Sequence, residues 1–453
     1  VVTNITLGPG QVNAVNQIIS FIHSFETAFS LSGYAGTGKT TVVKEIVRYA
    51  KSKHLEIVLC APTHIAKLVL EQATEQPAIT LHKLLALTPN VEILDLDFKN
   101  LLFQIKGKQT LFPSNGLIIC DESSMISDDL FDLLIDRCEL TQSKVLFVGD
   151  KAQLQPVNAL NHSKVFNLEN SVILDYIYRQ PEESGLISVL PTLRSKPINI
   201  FMDSVGLDGS LLCYSNIQNF FKELVPAFKK AINNRNILET KMLTYTNKRT
   251  EGFNTKLKEV LFGTEQEYYQ SEFLTCYENL EFDGLNFFNS MTYIVADKPE
   301  KTDILISGFI KLPGWKLNLY DSVTKHCSLV SIISRTVEKD YIDSLAQFLE
   351  TLRINAIQTK YSDRRASSQL WKQYYQALNS FTLPTDLYYE NRLVRRKSFD
   401  YGYASTVHKS QGQTIQNVFI DMKDINLCKN PDELRQLQYV SISRSKQNVY
   451  IYC

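Results

Sequence analysis

The run Gly33-Tyr34-Ala35-Gly36-Thr37-Gly38-Lys39-Thr40 constrains this chain more than any other feature. It satisfies the G-x-x-x-x-G-K-[ST] phosphate-loop pattern in full. It follows a short apolar run, Ala28-Phe29-Ser30-Leu31, and precedes a helical periodicity in which Val42, Val43, Ile46, Val47 and Ala50 share one face. Glycines let backbone N–H groups wrap phosphate oxygens at the positive end of that helix. Lys39 then reaches the β and γ oxygens, and Thr40 supplies a magnesium ligand. Gly36, Thr37, Gly38, Lys39, Thr40 and Thr41 are the nucleotide contacts expected of such a loop.

Further apolar runs at Ile57-Val58-Leu59-Cys60, Leu117-Ile118-Ile119-Cys120 and Val145-Leu146-Phe147-Val148 are separated by turns and helical periodicity. Uninterrupted runs of this kind suit strands buried on both faces, which predicts a doubly wound α/β domain with a parallel sheet. The third run ends in Asp121-Glu122. An Asp-Glu pair by itself is an ordinary solvated turn, but at a strand end downstream of a phosphate loop the two carboxylates have separate tasks. Asp121 can hold magnesium through water, and Glu122 can polarise an attacking water as general base.

Four ordered segments then carry a resemblance: Ala61-Pro62-Thr63-His64, Asp121-Glu122-Ser123-Ser124-Met125, Gly149-Asp150-Lys151-Ala152-Gln153-Leu154-Gln155-Pro156-Val157 and His408-Lys409-Ser410-Gln411-Gly412. Together they resemble the motifs of superfamily 1 helicases, most of all the RecD/Dda-like group. Leu7-Gly8-Pro9-Gly10-Gln11 is similar to that family's adenine-reading motif, and Tyr439-Val440-Ser441-Ile442-Ser443-Arg444 to its last motif, with Ser441 and Ser443 where the family usually has Ala and Thr. The resemblance implies that Gln11 bonds adenine and that Gln153 reports the γ-phosphate. It implies that Arg179 and Arg444 act as arginine fingers, and it adds Gly412 to the nucleotide site. It places Thr63, His64, Thr80, His82, Thr246, Asn247, Thr406, His408 and Lys409 along a single-stranded DNA track, where hydroxyls, amides and imidazoles suit phosphates without reading bases. The same group carries a hairpin pin in its first motor domain. The excursion Val91-Glu92-Ile93-Leu94-Asp95-Leu96-Asp97-Phe98 matches it, with Phe98 as the ring at the fork.

At 453 residues the chain exceeds what one hydrophobic core serves. We expect a first RecA-like motor domain over 1–175 with an inserted pin hairpin at about 87–115, and a second over 176–264 and 401–453. An inserted, partly β, SH3-like subdomain is expected over 265–400. Lys plus Arg number 48 and so do Asp plus Glu, so no global basic field announces nucleic acid, and a stepping motor needs only a local groove. The eight cysteines show no metal or disulfide spacing, no apolar stretch of membrane length occurs, and Val1 to Gly10 lack a signal-peptide pattern. A cytoplasmic protein with no membrane contact is expected. By resemblance it moves 5′ to 3′ on single-stranded DNA and opens DNA forks with magnesium ATP; we further expect a monomer that works beside replication or recombination proteins. Two other readings stay open at this point: an RNA helicase on the same fold, and a nucleic-acid-binding or recruitment module whose ATPase is only a switch.

Overall fold

The computed structural model describes residues 7–89, 103–105, 111–156, 163–177, 186, 189–206, 209–282 and 285–453. The chain opens with α1 (Pro9–Ile22), β1 (Ala28–Gly33), α2 (Lys39–Ser52), β2 (Ile57–Ala61), α3 (His64–Thr74), β3 (Ala78–Thr80) and α4 (Leu81–Leu84). After the pair β4 (Leu87–Pro89) and β5 (Phe103–Ile105) come β6 (Leu117–Cys120), α5 (Asp128–Thr141), β7 (Lys144–Gly149) and β8 (Ser171–Leu174). Six of these strands form one parallel sheet in the order β3-β2-β6-β7-β1-β8. Its central strands alternate between two cores. Leu117, Ile119, Leu146 and Val148 pack with α1 and α2, while Ile118, Cys120, Val145 and Phe147 pack with α4 and α5. This is why the strands read as continuous apolar runs.

The second motor sheet begins with α6 (Leu190–Leu193), β9 (Ser204–Val205), β10 (Ser210–Tyr214), α7 (Ile217–Asn233), β11 (Thr240–Thr244) and α8 (Asn247–Phe262). An insertion follows: β12 (Phe273–Cys276), β13 (Leu280–Phe282), β14 (Leu285–Phe287), β15 (Thr292–Val295), β16 (Glu300–Ile306), β17 (Ile310–Tyr320) and β18 (Cys327–Ile333). Its helices are α9 (Lys339–Thr359) and α10 (Arg364–Leu378), and it closes with β19 (Leu387–Tyr389), β20 (Arg392–Arg395) and β21 (Phe399–Tyr401). The chain then rejoins the second sheet through β22 (Ala404–Thr406), β23 (Ile415–Asp421), α11 (Met422–Ile425), α12 (Pro431–Ser443) and β24 (Ser445–Tyr452). The order is β22-β11-β23-β24-β10-β9, parallel except for β9.

The insertion has its own antiparallel sheet, β16-β17-β15-β12-β21 with β18 beside β17. That sheet runs through Tyr401, the residue at which the sequence reading resumes the second motor domain. Its helices cover one face through Leu345, Leu349, Tyr374 and Ala377. In the first domain β4 and β5 pair antiparallel, with Leu87 opposite Ile105. Phe98, the ring assigned to the fork, lies outside the described residues, as does Arg179. Among the described residues no helix is long and apolar enough to cross a membrane.

Candidate nucleotide cleft and nucleic-acid groove

The strands β6, β7 and β1 are neighbours, so their carboxyl ends bring Asp121-Glu122, Gly149-Asp150 and the phosphate loop side by side. Ligands of open parallel sheets bind along this edge. Gly36 and Gly38 both have φ of 84°, backbone that favours glycine. Any Cβ at Gly38 would also overlap the Gln11 amide. Gln11 is buried, with Nε2 donating to the Thr37 carbonyl at 3.2 Å and Oε1 accepting the Gly8 N–H at 3.0 Å. Both ends of its amide thus tie the start of α1 to the loop. Lys39 Nζ donates to the carbonyls of Gly33 at 2.6 Å and Tyr34 at 3.1 Å, holding the ammonium over the cradle. The Thr37 hydroxyl donates to the Tyr34 carbonyl at 2.9 Å, a loop-shaping role. Thr40 and Thr41 stand half-buried in the first turn of α2.

Burial, then the neighbouring Glu122, pushes the Asp121 carboxyl up to about 7; the N–H of Glu122 and the charge of Lys39 pull the other way. A cation beside it would restore the ionised form, so Thr40 and Asp121 are the residues that would hold a magnesium ion here. Magnesium bound there would neutralise charge on the phosphate oxygens. Asp121 Oδ1 accepts the Glu122 N–H at 2.8 Å, and Glu122 itself has φ of 50°. Asp150 is fully buried, and its Oδ2 accepts the Tyr439 hydroxyl at 2.9 Å across the cleft. Gln153 Oε1 and Arg444 Nε are buried without hydrogen-bond partners, as are Ser124 Oγ, Arg194 Nε and Gln411 Nε2. Buried polar atoms are rarely left unpaired, and a polar ligand is one explanation when several lie in segments that border a cleft. Gly412, with φ of 78°, sits against Ala66 of α3, where a Cβ would lie 3.5 Å away.

The second set of residues gathers at the outer strands. The ends of β2 and β3 carry Thr63-His64 and Thr80-His82, and those of β11 and β22 carry Thr246-Asn247 and Thr406-His408-Lys409. Thr63, Thr80 and Thr246 each cap a following helix, accepting the N–H of Ala66, Lys83 and Arg249. A cavity of about 1040 Å³ is lined by Thr63, His64, Thr80, His82, Asn247, Thr406, His408 and Lys409. Thr246 is held behind it, its hydroxyl donating to Asp424 at 2.9 Å.

The insertion supplies a third wall, announced by no motif, through Asn279, Asn289 and Ser290. Phe288 of the insertion stacks on His64 with ring centroids 4.0 Å apart. The Lys409 ammonium lies 3.6 Å from the centre of the Tyr277 ring. Burial lowers the His64 imidazole to about 4 and also lowers His82 and His408, while Lys409 falls to about 8 through burial and the nearby Lys397 and Arg396.

Residues 6–199 match the family described as an AAA domain, and residues 401–452 match the UvrD-like helicase C-terminal domain. An ATP-binding first sheet and a helicase second sheet facing one cleft define a superfamily 1 motor. The chain is 25% identical to the ATP-dependent DNA helicase dda of Enterobacteria phage T4 over 98% of both chains. It is 25% identical to the uncharacterized protein R530 of Acanthamoeba polyphaga mimivirus over 96% of this chain and 97% of that protein. A crystal structure of Bacteroides Pif1 bound to ssDNA superposes with a TM-score of 0.51 at 16% identity, covering 99% of this chain and 92% of that one, a likeness of fold. Over nearly its whole length the chain is similar to the RecD/Dda-like group of superfamily 1 helicases.

Proposed function

We propose that this chain is an ATP-dependent DNA helicase that moves 5′ to 3′ along single-stranded DNA and separates the duplex ahead of it. The observation that carries this reading is the placement of two sites across the same pair of domains. Phosphate-loop residues meet α12 of the second domain at one edge, and the polar groove spans both domains and the insertion at the other. Opening and closing of a nucleotide-filled cleft must then change the spacing of the groove walls, which is how hydrolysis becomes stepping.

Lys39 and Arg444 bear on the phosphates, Asp121 and Thr40 hold magnesium, Glu122 takes the proton from the attacking water, and Gln153 contacts the γ-phosphate. The polarity rests on resemblance to the RecD/Dda-like group. We further propose that it acts as a monomer at DNA forks, beside replication or recombination proteins. A strand-displacement assay with a single-stranded tail of either polarity tests the reading. Opening of the duplex with a 5′ tail is expected, and preference for the 3′ tail would refute the direction.

A further inference from the structure

Two consecutive residues of the phosphate loop are held from the second domain. The Tyr34 ring lies 3.8 Å from the Arg194 guanidinium, and the Ala35 N–H donates to the Tyr439 hydroxyl at 3.0 Å. An N–H can only donate, so the phenol oxygen accepts it and donates its own O–H to Asp150 Oδ2. Asp150 is fully committed, with Oδ1 accepting the Ala152 N–H at 2.9 Å and its carbonyl accepting the Gln153 N–H at 3.1 Å. A single buried hydroxyl therefore joins the phosphate loop, the turn that presents Gln153, and the helix α12 that ends at Arg444. From the same helix Arg435 donates to the Arg194 carbonyl at 3.2 Å, so the Tyr34 cap is tied to the same element.

We propose that Tyr439 is a positioning residue for ATP hydrolysis, whose hydroxyl sets α12, and with it Arg444, against the phosphate loop and the Gln153 turn. The inference rests on the reading of Arg444 as the cation of the transition state. Burial and the Asp150 carboxylate keep the phenol protonated, so it stays a donor at any working pH. Phenylalanine keeps the ring but leaves Asp150 Oδ2 and the Ala35 N–H unpaired, and a misplacement of about 1 Å at a reacting site costs on the order of a hundredfold in rate.

The test measures ATP turnover at saturating single-stranded DNA for the full chain, Tyr439→Phe, Arg444→Ala and the double variant. Tyr439→Phe is expected to lower kcat by about 10- to 100-fold with KM for ATP close to wild type, and to add less than about threefold once Arg444 is gone. A normal kcat in Tyr439→Phe, or losses that multiply in the double variant, would overturn the inference while leaving the Arg444 reading intact. A normal kcat in Arg444→Ala would instead sink that reading, and this one with it. Should Tyr439→Phe fail to fold by its thermal midpoint, Asp150→Asn carries the same test. It keeps an acceptor oxygen and the shape of the turn, and the same loss of kcat, absent in the Arg444→Ala background, is expected.

Discussion

Glu122 holds a left-handed backbone, φ 50°, that a residue with a Cβ seldom adopts, and it does so directly after the buried strand β6. Strain of this kind persists where the surroundings over-determine it, and here it falls on the residue that follows Asp121 at the edge of the nucleotide site. Glu122→Gln keeps the shape but cannot accept a proton. Hydrolysis is expected to fall by roughly 10²- to 10⁴-fold while ATP affinity holds, read by single-turnover hydrolysis and equilibrium nucleotide binding. Collapse of affinity would make Glu122 a structural residue. Lys39→Ala is expected to abolish nearly all turnover yet bind single strands almost as wild type, because the loop and the groove share no residue; near-normal turnover in a folded variant would overturn the site.

Lys39, Thr40, Asp121 and Glu122 are legible in the sequence because each stands at a fixed distance from a strand end. The Tyr439 bond to Asp150 spans 289 residues and is set only by how two domains dock, so nothing local announces it. Gln11 shows the other limit. A motif fixes that a glutamine stands beside the loop, but its two hydrogen bonds to Gly8 and Thr37 appear only in the folded packing.

Among the elements, the parallel strands were readable because burial on both faces makes them continuously apolar. The many short strands of the insertion were not. The short strands β12, β15 and β21 are buried throughout and so show no alternation, and pairing depends on registers such as Leu274 opposite Tyr401 that lie far apart in the chain. Only the β-prone run 328–333, within β18, and the helical stretch 341–352, within α9, carry a local pattern. The join between the insertion and the second motor sheet is made by a buried charge-bearing side chain. Lys241 in β11 donates to the Gly402 carbonyl at 2.6 Å and to Thr292 Oγ1 at 3.3 Å, with no carboxylate among these partners.

Burial lowers the Lys241 ammonium to about 7, whereas in the unfolded chain it titrates near the usual lysine value of about 10.4. Between those two values the unfolded state binds the proton and the folded state does not. The Lys241 contribution to stability therefore rises with pH through that window and is least favourable below about 7. Thermal midpoints of wild type and Lys241→Met, compared from neutral to alkaline pH, are expected to shift in favour of wild type as pH increases. A difference that stays flat would place the ammonium in contact with water or an anion. Comparing the two proteins cancels the opposite trend from the buried Glu272, which is raised to about 8 mainly by burial.

Across the whole molecule the charges cancel, 48 against 48, and the groove likewise carries no surplus of positive charge. Of its described lining, Lys409 is the one lysine or arginine, while Asp432 and Glu433 stand at the same wall. The three histidines there are all lowered by burial, so they carry no charge at neutral pH. Grip on a strand must then come from hydroxyls, amides, helix-capping turns and ring faces such as the His64–Phe288 stack, contacts that displace few counterions. A track of this kind lets each domain release the strand at every step, where a strongly basic channel would hold it. The expected signature is a shallow salt dependence. Each phosphate neutralised on a single strand contributes a slope of about −0.7 to log K against log salt, so a groove that neutralises one or two should show a slope of roughly −1. Single-strand affinity measured from about 50 to 200 mM salt without nucleotide checks this. A slope several times steeper would mean that basic side chains outside this groove carry the strand, and Lys409→Ala would then leave the slope almost unchanged instead of flattening it.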